Sequence, residues 1–245
     1  MSSIVFYISG HGFGHASRSI EVINALVDKR PELSVIVRSS VAPWLVTLTA
    51  REGVRLESVE CDTGVVQIDS LHLDEQETIR RARAFTATMP ARVLTEAERL
   101  DDARADLVVA DLPALGIAAA HATGIPAVAF GNFTWDWIYA DDEGGRDVAD
   151  AVGRLYAETT LALRLPMWGG FATMPVVRDV PMVARRSRRH PTEVRASLAS
   201  MPRRASCSCR LAGMASTVST SMRCRASRGS ALSSSRLQAA VLAGA

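Results

Sequence analysis

Residues 10 to 18 read Gly10-His11-Gly12-Phe13-Gly14-His15-Ala16-Ser17-Arg18. Glycine at every second position permits tight turning and lets a ligand approach the backbone closely. His11 and His15 bring ring nitrogens that exchange protons near neutral pH. Arg18 adds a fixed cation. Such a set suits proton removal from a hydroxyl beside a polar or anionic ligand. A dinucleotide-binding loop would need a carboxylate after the second strand. The chain there reads Arg38-Ser39-Ser40, which disfavours a nicotinamide dehydrogenase.

The elements that position this loop follow from apolar periodicity. Strands are expected at residues 4–9, 33–38, 54–61, 106–111, 125–131 and 161–165. Helices are expected at residues 14–29, 41–51, 114–123 and 145–159, with a long helical stretch over 73–104 that Pro90 kinks or divides. Strand–helix alternation of this kind predicts an α/β, Rossmann-like parallel sheet with helices on both faces. Sites in such sheets lie just past the carboxyl ends of the strands. The candidate segments are therefore residues 10–15, 39–40, 62–64, 111–113 and 131–136. Arg18 sits in the first turn of its helix, where a cation opposes the macrodipole, so it should pair with a carboxylate of protein or ligand.

Two motifs together resemble a known family. Gly-His-Gly-x-Gly-His-x-x-Arg after the first strand is similar to the acceptor-side loop of GT-B glycosyltransferases. That group includes UDP-glycosyltransferases and the bacterial enzyme that adds N-acetylglucosamine to lipid-linked muramyl peptide. It also resembles the glycosyltransferase-like N-terminal region of plant arabinokinases. The second match is Gly131-Asn132-Phe133-Thr134-Trp135-Asp136-Trp137-Ile138-Tyr139, and the likeness spans about residues 3–185.

The resemblance implies His15 as general base on an acceptor hydroxyl and Asp111 as the carboxylate that orients it. Each has a plainer reading: His15 as a helix-start residue satisfied by backbone, Asp111 as the N-cap of the helix from Ala114. Gly10, His11, Gly12, Gly14, Arg18, Asn132, Trp135 and Asp136 are the expected substrate contacts, with Trp135 and Trp137 either stacking on a sugar ring or packing their own loop. The resemblance implies a nucleotide-sugar donor and a hydroxyl-bearing acceptor, with no cofactor and no metal. It leaves open a non-catalytic module that binds a sugar or nucleotide sugar, and a nucleotide-sugar hydrolase or epimerase. His72, His121 and His190 look structural or exposed.

Composition bounds the rest. Of 245 residues, 48% are hydrophobic and the formal charge is +2, which calls for no nucleic-acid partner. Neither a secretory signal nor a run of about 18 apolar residues is present, so a cytoplasmic protein is the default expectation, compatible with peripheral membrane contact. Lys29 is the one lysine, which reads as a GC-rich coding sequence.

Residues 1–184 form the expected Rossmann-like acceptor-side domain, and 185–200 a linker with a short helix capped by Thr192. Beyond Met201 the chain is dominated by Ser, Arg, Ala, Cys, Gly, Thr and Met, and Glu193 is the last acid. Cys207-x-Cys209 is too tight for a zinc knuckle. A disordered basic tail fits the composition, but cysteine richness does not. Residues 201–245 are instead expected to be a frame-shifted remnant of a second domain. Shifting the frame over residues 205–225 permits a strand running into a glycine-rich turn, S-F-G-G-Y-G, like the loop that opens the second GT-B domain. On this reading the chain is truncated and inactive by itself, because GT-B enzymes bind most of the donor nucleotide in that domain.

Overall fold

The computed structural model describes residues 2–69, 71–185 and 189–199. The expectations for residues 201–245 lie outside them. The described residues fall in two compact units, one up to residue 185 and one over 189–199.

The first unit is built on alternating elements. They are β1 (Ser3–Ile8), α1 (Gly14–Lys29), β2 (Ser34–Ser39), α2 (Pro43–Thr49), β3 (Arg55–Ser58), β4 (Val66–Gln67), β5 (Leu73–Asp74), α3 (Glu75–Ala87) and α4 (Met89–Asp102). The chain continues through β6 (Leu107–Asp111), α5 (Ala114–Thr123), β7 (Ala127–Gly131), α6 (Trp135–Ala140), a 3-10 turn at Glu143–Gly145, α7 (Arg146–Tyr156), β8 (Leu161–Arg164) and β9 (Val177–Asp179). Seven strands form one sheet in the order β3-β2-β1-β6-β7-β8-β9, and every pairing is parallel. The chain starts in the middle, winds outward to β3, then returns to β6 on the other side of β1. Strand order therefore reverses between β1 and β6. Side by side, the loops after these two strands diverge and leave a crevice, where doubly wound folds bind ligands.

Both faces of the sheet are covered, which explains the near-continuous apolar strands. Successive side chains of a strand point to opposite faces. Ile4, Phe6 and Ile8 of β1 pack with Ile20 and Ile23 of α1 and Leu45 and Val46 of α2. Val5 and Tyr7 face the other way, onto Leu100 of α4 and Ile117 and Ala120 of α5.

Several boundaries differ from the sequence expectation. The stretch 73–104 is not one helix: β5 opens it, and two helices meet at Thr88. Pro90 lies in the first turn of α4, where its missing N–H costs nothing, and its ring prevents continuation from α3. The β4–β5 hairpin, α6 and β9 were not expected; each is too short to show a period. In the second unit, α8 (Pro191–Ala199) starts at Pro191, so Thr192 lies inside the helix rather than capping it. Proline's fixed φ suits the first helical position and displaces the cap outward.

Candidate active site

The loop after β1 carries out the tight turn its glycines suggest. Gly12 adopts φ +69°, a left-handed conformation that glycine takes without strain. Gly10 has a different reason: a Cβ there would lie 1.9 Å from Ser40 Oγ, at the end of β2. Phe13 then starts α1 with no side-chain cap, so the first amides of a sixteen-residue helix face the crevice unpaired by any capping group. Gly14 is not required by packing, since nothing lies within 4 Å of where its Cβ would be.

On α1, His15, Arg18 and Ser19 stand at i, i+3 and i+4, one face of one turn. That face points at Asp111, the last residue of β6, which is in register with Ile8 across the strand-order reversal. His15 Nδ1 lies 3.0 Å from Asp111 Oδ1. Arg18 grips the same carboxylate with two nitrogens, Nε donating to Oδ2 at 2.8 Å and Nη2 to Oδ1. Ser19 Oγ donates to Oδ2. Arg18 Nη1 donates to Asn132 Oδ1 at 2.6 Å, past the end of β7. Asp111 is fully buried. Burial alone would push its carboxyl up, but hydrogen bonds and charge from Arg18, then His15, hold it below the usual carboxylate range.

Asp111, ionised, accepts a hydrogen bond from His15 Nδ1–H, and this favours the tautomer with a lone pair on Nε2 over the one in which Nδ1 accepts from Arg18 Nη2, also 3.0 Å away. Nε2 has no hydrogen-bond partner among the described residues. The only solvent-sealed side-chain atoms there that lack a partner are Ser3 Oγ and Thr159 Oγ1, so Nε2 keeps a path to water. The Phe133 ring meets the imidazole edge-on at 5.6 Å between centroids. The arrangement is a base with one nitrogen anchored and one open.

The plainer readings of both residues fail. Asp111 does not cap α5, whose N-cap is Pro113 with no side-chain bond. His15 is tied to a carboxylate rather than to backbone. Arg18 finds its carboxylate within the protein. Asn132 is engaged by Arg18. Asp136 accepts from Trp137 N at 2.9 Å and sits 3.5 Å from Thr173 Oγ1.

Trp135 departs from the stacking expectation. It is 3% exposed, its face is stacked on Tyr139 at 5.7 Å, and Phe133 and His11 meet it edge-on. No open face remains for a sugar, because α6 turns it inward; Trp137, two residues on, is 53% exposed. His11 stays half-buried beside Gly64, where a Cβ would strike its ring. Burial, then the charge of His15, lowers its pKa, so His11 is a neutral hydrogen-bonding group.

Two groups at the crest were not singled out from the sequence. Asp62, in the expected segment 62–64, accepts from Ser9 Oγ at 3.0 Å and Trp135 Nε1 at 2.9 Å, joining the histidine loop to the aromatic loop. Burial pushes its carboxyl up to about 6 despite those donors. Tyr156 of α7 donates to Leu112 O at 2.6 Å and accepts from Trp135 N at 3.3 Å. Leu112 follows Asp111 with φ +77°, a strained conformation for a side-chain-bearing residue that Tyr156 helps to hold. A tyrosine on the apolar face of a helix gives no sequence signal for this role; Ser19, also not singled out from the sequence, follows Arg18 directly and shares its face of α1 toward Asp111.

No group of three or more His, Cys, Asp or Glu among the described residues is arranged to hold a metal ion. No helix among them is long and apolar enough to cross a membrane. His72 and His121 are exposed and paired with Asp69 and Glu158. His190 is exposed.

With this geometry in view, comparison with known proteins is informative. The sequence model of glycosyl transferase family 1 matches residues 2–142. L-arabinokinase of Arabidopsis thaliana is 35% identical over 205 residues, covering 79% of this chain and 19% of that protein. Two solved structures share the fold. UGT2 of Phytolacca americana, complexed with UDP-2fluoro-glucose and pterostilbene, aligns at TM-score 0.50 and 13% identity, covering 82% of this chain and 58% of that one. A UDP-glucosyltransferase from Polygonum tinctorium capable of glucosylating indoxyl aligns at TM-score 0.50 and 13% identity, covering 82% and 56%. The chain thus spans about a fifth of the curated relative and under two thirds of either structure. The family model covers more than half of the chain and includes His15, Arg18, Asp111 and Asn132, and on that ground this protein belongs to glycosyl transferase family 1.

Proposed function

We propose that the first unit is the acceptor-side half of a sugar-transfer site, in which His15 Nε2 takes the proton of an acceptor hydroxyl as sugar is transferred from a nucleotide-activated donor. The observation that carries this is the anchored imidazole: Asp111 fixes Nδ1 and Arg18 fixes Asp111, at the crevice where strand order reverses. A hydroxyl is a poor nucleophile, and a placed base lowers its barrier as the new bond forms. The imidazolium that results is stabilised by the carboxylate beside it. Uncapped amides at the start of α1 and the neutral ring of His11 offer hydrogen bonds to a polyhydroxy ligand.

The resemblance to two-domain glycosyltransferases assigns most donor-nucleotide contacts to a second domain, so residues 1–184 alone should not turn over. Joining them to the donor-side domain of a family relative, and screening nucleotide sugars against hydroxyl acceptors, tests the reading. Transfer should appear in the joined protein, and His15→Ala should remove two to four decades of it, on the order expected for loss of a general base. Transfer that survives His15→Ala at full rate would refute the assignment.

The L-arabinokinase likeness favours a second reading, a sugar-binding region that performs no transfer. On that reading the joined protein binds sugars, transfers none, and loses binding on Arg18→Ala.

A further inference from the structure

A second cavity, of about 220 Å³, opens beside the aromatic loop. It lies between the hairpin and start of α3 on one side and α6 on the other. Val65, Leu73, Ile79, Ile138 and Trp137 give it apolar walls. Its polar lining is one-signed: Glu75, Asp141 and Asp142 contribute carboxylates, and no lysine, arginine or histidine lines it. Tyr139 forms part of the wall and stacks on Trp135, which meets Phe133, which meets His15, each at ring spacings of 5.2–5.7 Å. An aromatic line thus connects this cavity with the proposed base.

The cavity acids are distinguished by their grouping: three of them line one apolar pocket with no cationic residue beside them. Five surface acids elsewhere are matched with arginine, Asp28 with Arg51, Glu60 with Arg92, Glu77 with Arg80 and Arg81, Asp147 with Arg83 and Asp179 with Arg164, while Glu52, Glu98, Asp101, Asp102 and Asp150 stand singly on the surface without an ion pair among the described residues. Among the described residues, Glu75 and Asp141 have no hydrogen-bond or ion-pair partner, and Asp142 is bonded only to Gly144 N. Three carboxylates around an apolar pocket, without a cation, set up a negative potential that a positive group relieves. Trp137, half exposed, adds a ring face that attracts an ammonium within about 6 Å. The volume falls below the usual range for a drug-sized ligand, about 300–1,000 Å³, so the cavity accommodates one end of a molecule.

We infer that this cavity is a subsite for an apolar group bearing a cationic nitrogen, the remote end of an amine-containing acceptor. The inference deepens the acceptor-side reading and rests on it only for what the occupant is for, not for whether it binds. Binding to the full chain is read from the indole signal of Trp137 in a proton–nitrogen correlation spectrum. The probes are phenethyltrimethylammonium, 2-phenylethanol and 3-phenylpropionate, which share a ring and differ in charge. The cation should bind at least tenfold more tightly than the alcohol, and the anion should leave the signal unmoved. Glu75→Gln combined with Asp141→Asn should bring cation and alcohol within twofold; both side chains are exposed, so folding is not at stake. His15→Ala should leave cation binding unchanged. An alcohol that binds as tightly as the cation, or a preference that survives the double variant, overturns the subsite. A joined protein that transfers sugar without a cation preference defeats this inference alone. One that prefers the cation but transfers nothing defeats only the reading above.

Discussion

Two clusters of buried charge flank β1, one residue apart and on opposite faces of the sheet. On the face toward α4, Tyr7 donates to Glu96 Oε2 at 2.8 Å, and Arg38 Nη1 donates to both Tyr7 Oη and Glu96. Arg99 and Glu57 complete the set, so Arg38 and Glu96 have every charge answered. On the face toward α1, Asp111 binds Arg18, His15 and Ser19. Arg18 grips Asp111 with a two-bond fork, the strong and directional kind of ion pair, whereas Arg38 spreads single bonds over Glu57, Glu96, Tyr7 and the Arg99 carbonyl. They differ also in closure. The Tyr7 cluster lies beneath helices, with Tyr7, Arg38 and Glu96 nearly sealed from water. The Asp111 cluster lies at the strand ends and includes a histidine with one nitrogen unspent. Both clusters bury charge; the titratable atom left open at the strand-order reversal is what supports the proposed site in the second.

Breaking the closed cluster should have the largest effect on folding. Arg38→Met leaves the Glu96 carboxylate buried with Arg99 as its one remaining cation, and should cost about 3 kcal/mol or more. Chemical denaturation measures this, and a loss below about 1 kcal/mol would put the cluster on a par with surface pairs. The same change should leave ligand binding at the crest untouched.

A smaller effect is expected where the open cluster is held in place. Tyr156→Phe deprives the Leu112 carbonyl and the Trp135 amide of their shared partner and should cost about 1–3 kcal/mol. Because Leu112 follows Asp111, the variant should also slow transfer in the joined protein. Stability lost without any change in transfer would make Tyr156 a packing residue only.

The smallest effect is a pH dependence. Asp62 has a folded pKa of about 6, above its ordinary value near 3.8. Its contribution to stability is therefore full below pH 4 and lost as pH rises through about 6. Asp62→Asn removes that penalty. Melting curves should show equal stability at pH 4 and a gain for the variant of about 1–2 kcal/mol at pH 7.5, discounted for partial exposure. A variant less stable at pH 7.5 would mean that the carboxylate's bonds to Ser9 and Trp135 outweigh its burial.

The sequence revealed the sheet and the His15–Asp111 pairing more clearly than the residues supporting them. Strands such as Ser3–Ile8 are apolar throughout because both faces are covered, and helices such as α1 carry a regular stripe. The histidine loop stood out through residue types that packing does not ask for. Trp135 shows the limit: its aromatic ring suits a sugar face and a core equally, and only the turn of α6 decides. Tyr156 and Asp62 act through contacts with residues 44 and 73 positions away, which no local pattern encodes. The meeting of Glu75, Asp141 and Asp142 at one cavity is likewise a property of three dimensions.

The protonation of His15 tests the account most directly. Nitrogen-15 shifts of the imidazole in the full chain at pH 8 report which ring nitrogen carries the proton. Asp111, ionised and 3.0 Å from Nδ1, should place it there and leave Nε2 with its lone pair. Asp111→Asn should mix the tautomers or reverse them. A proton found on Nε2 in the native chain would leave His15 without a basic nitrogen toward the crevice and would contradict the proposed site.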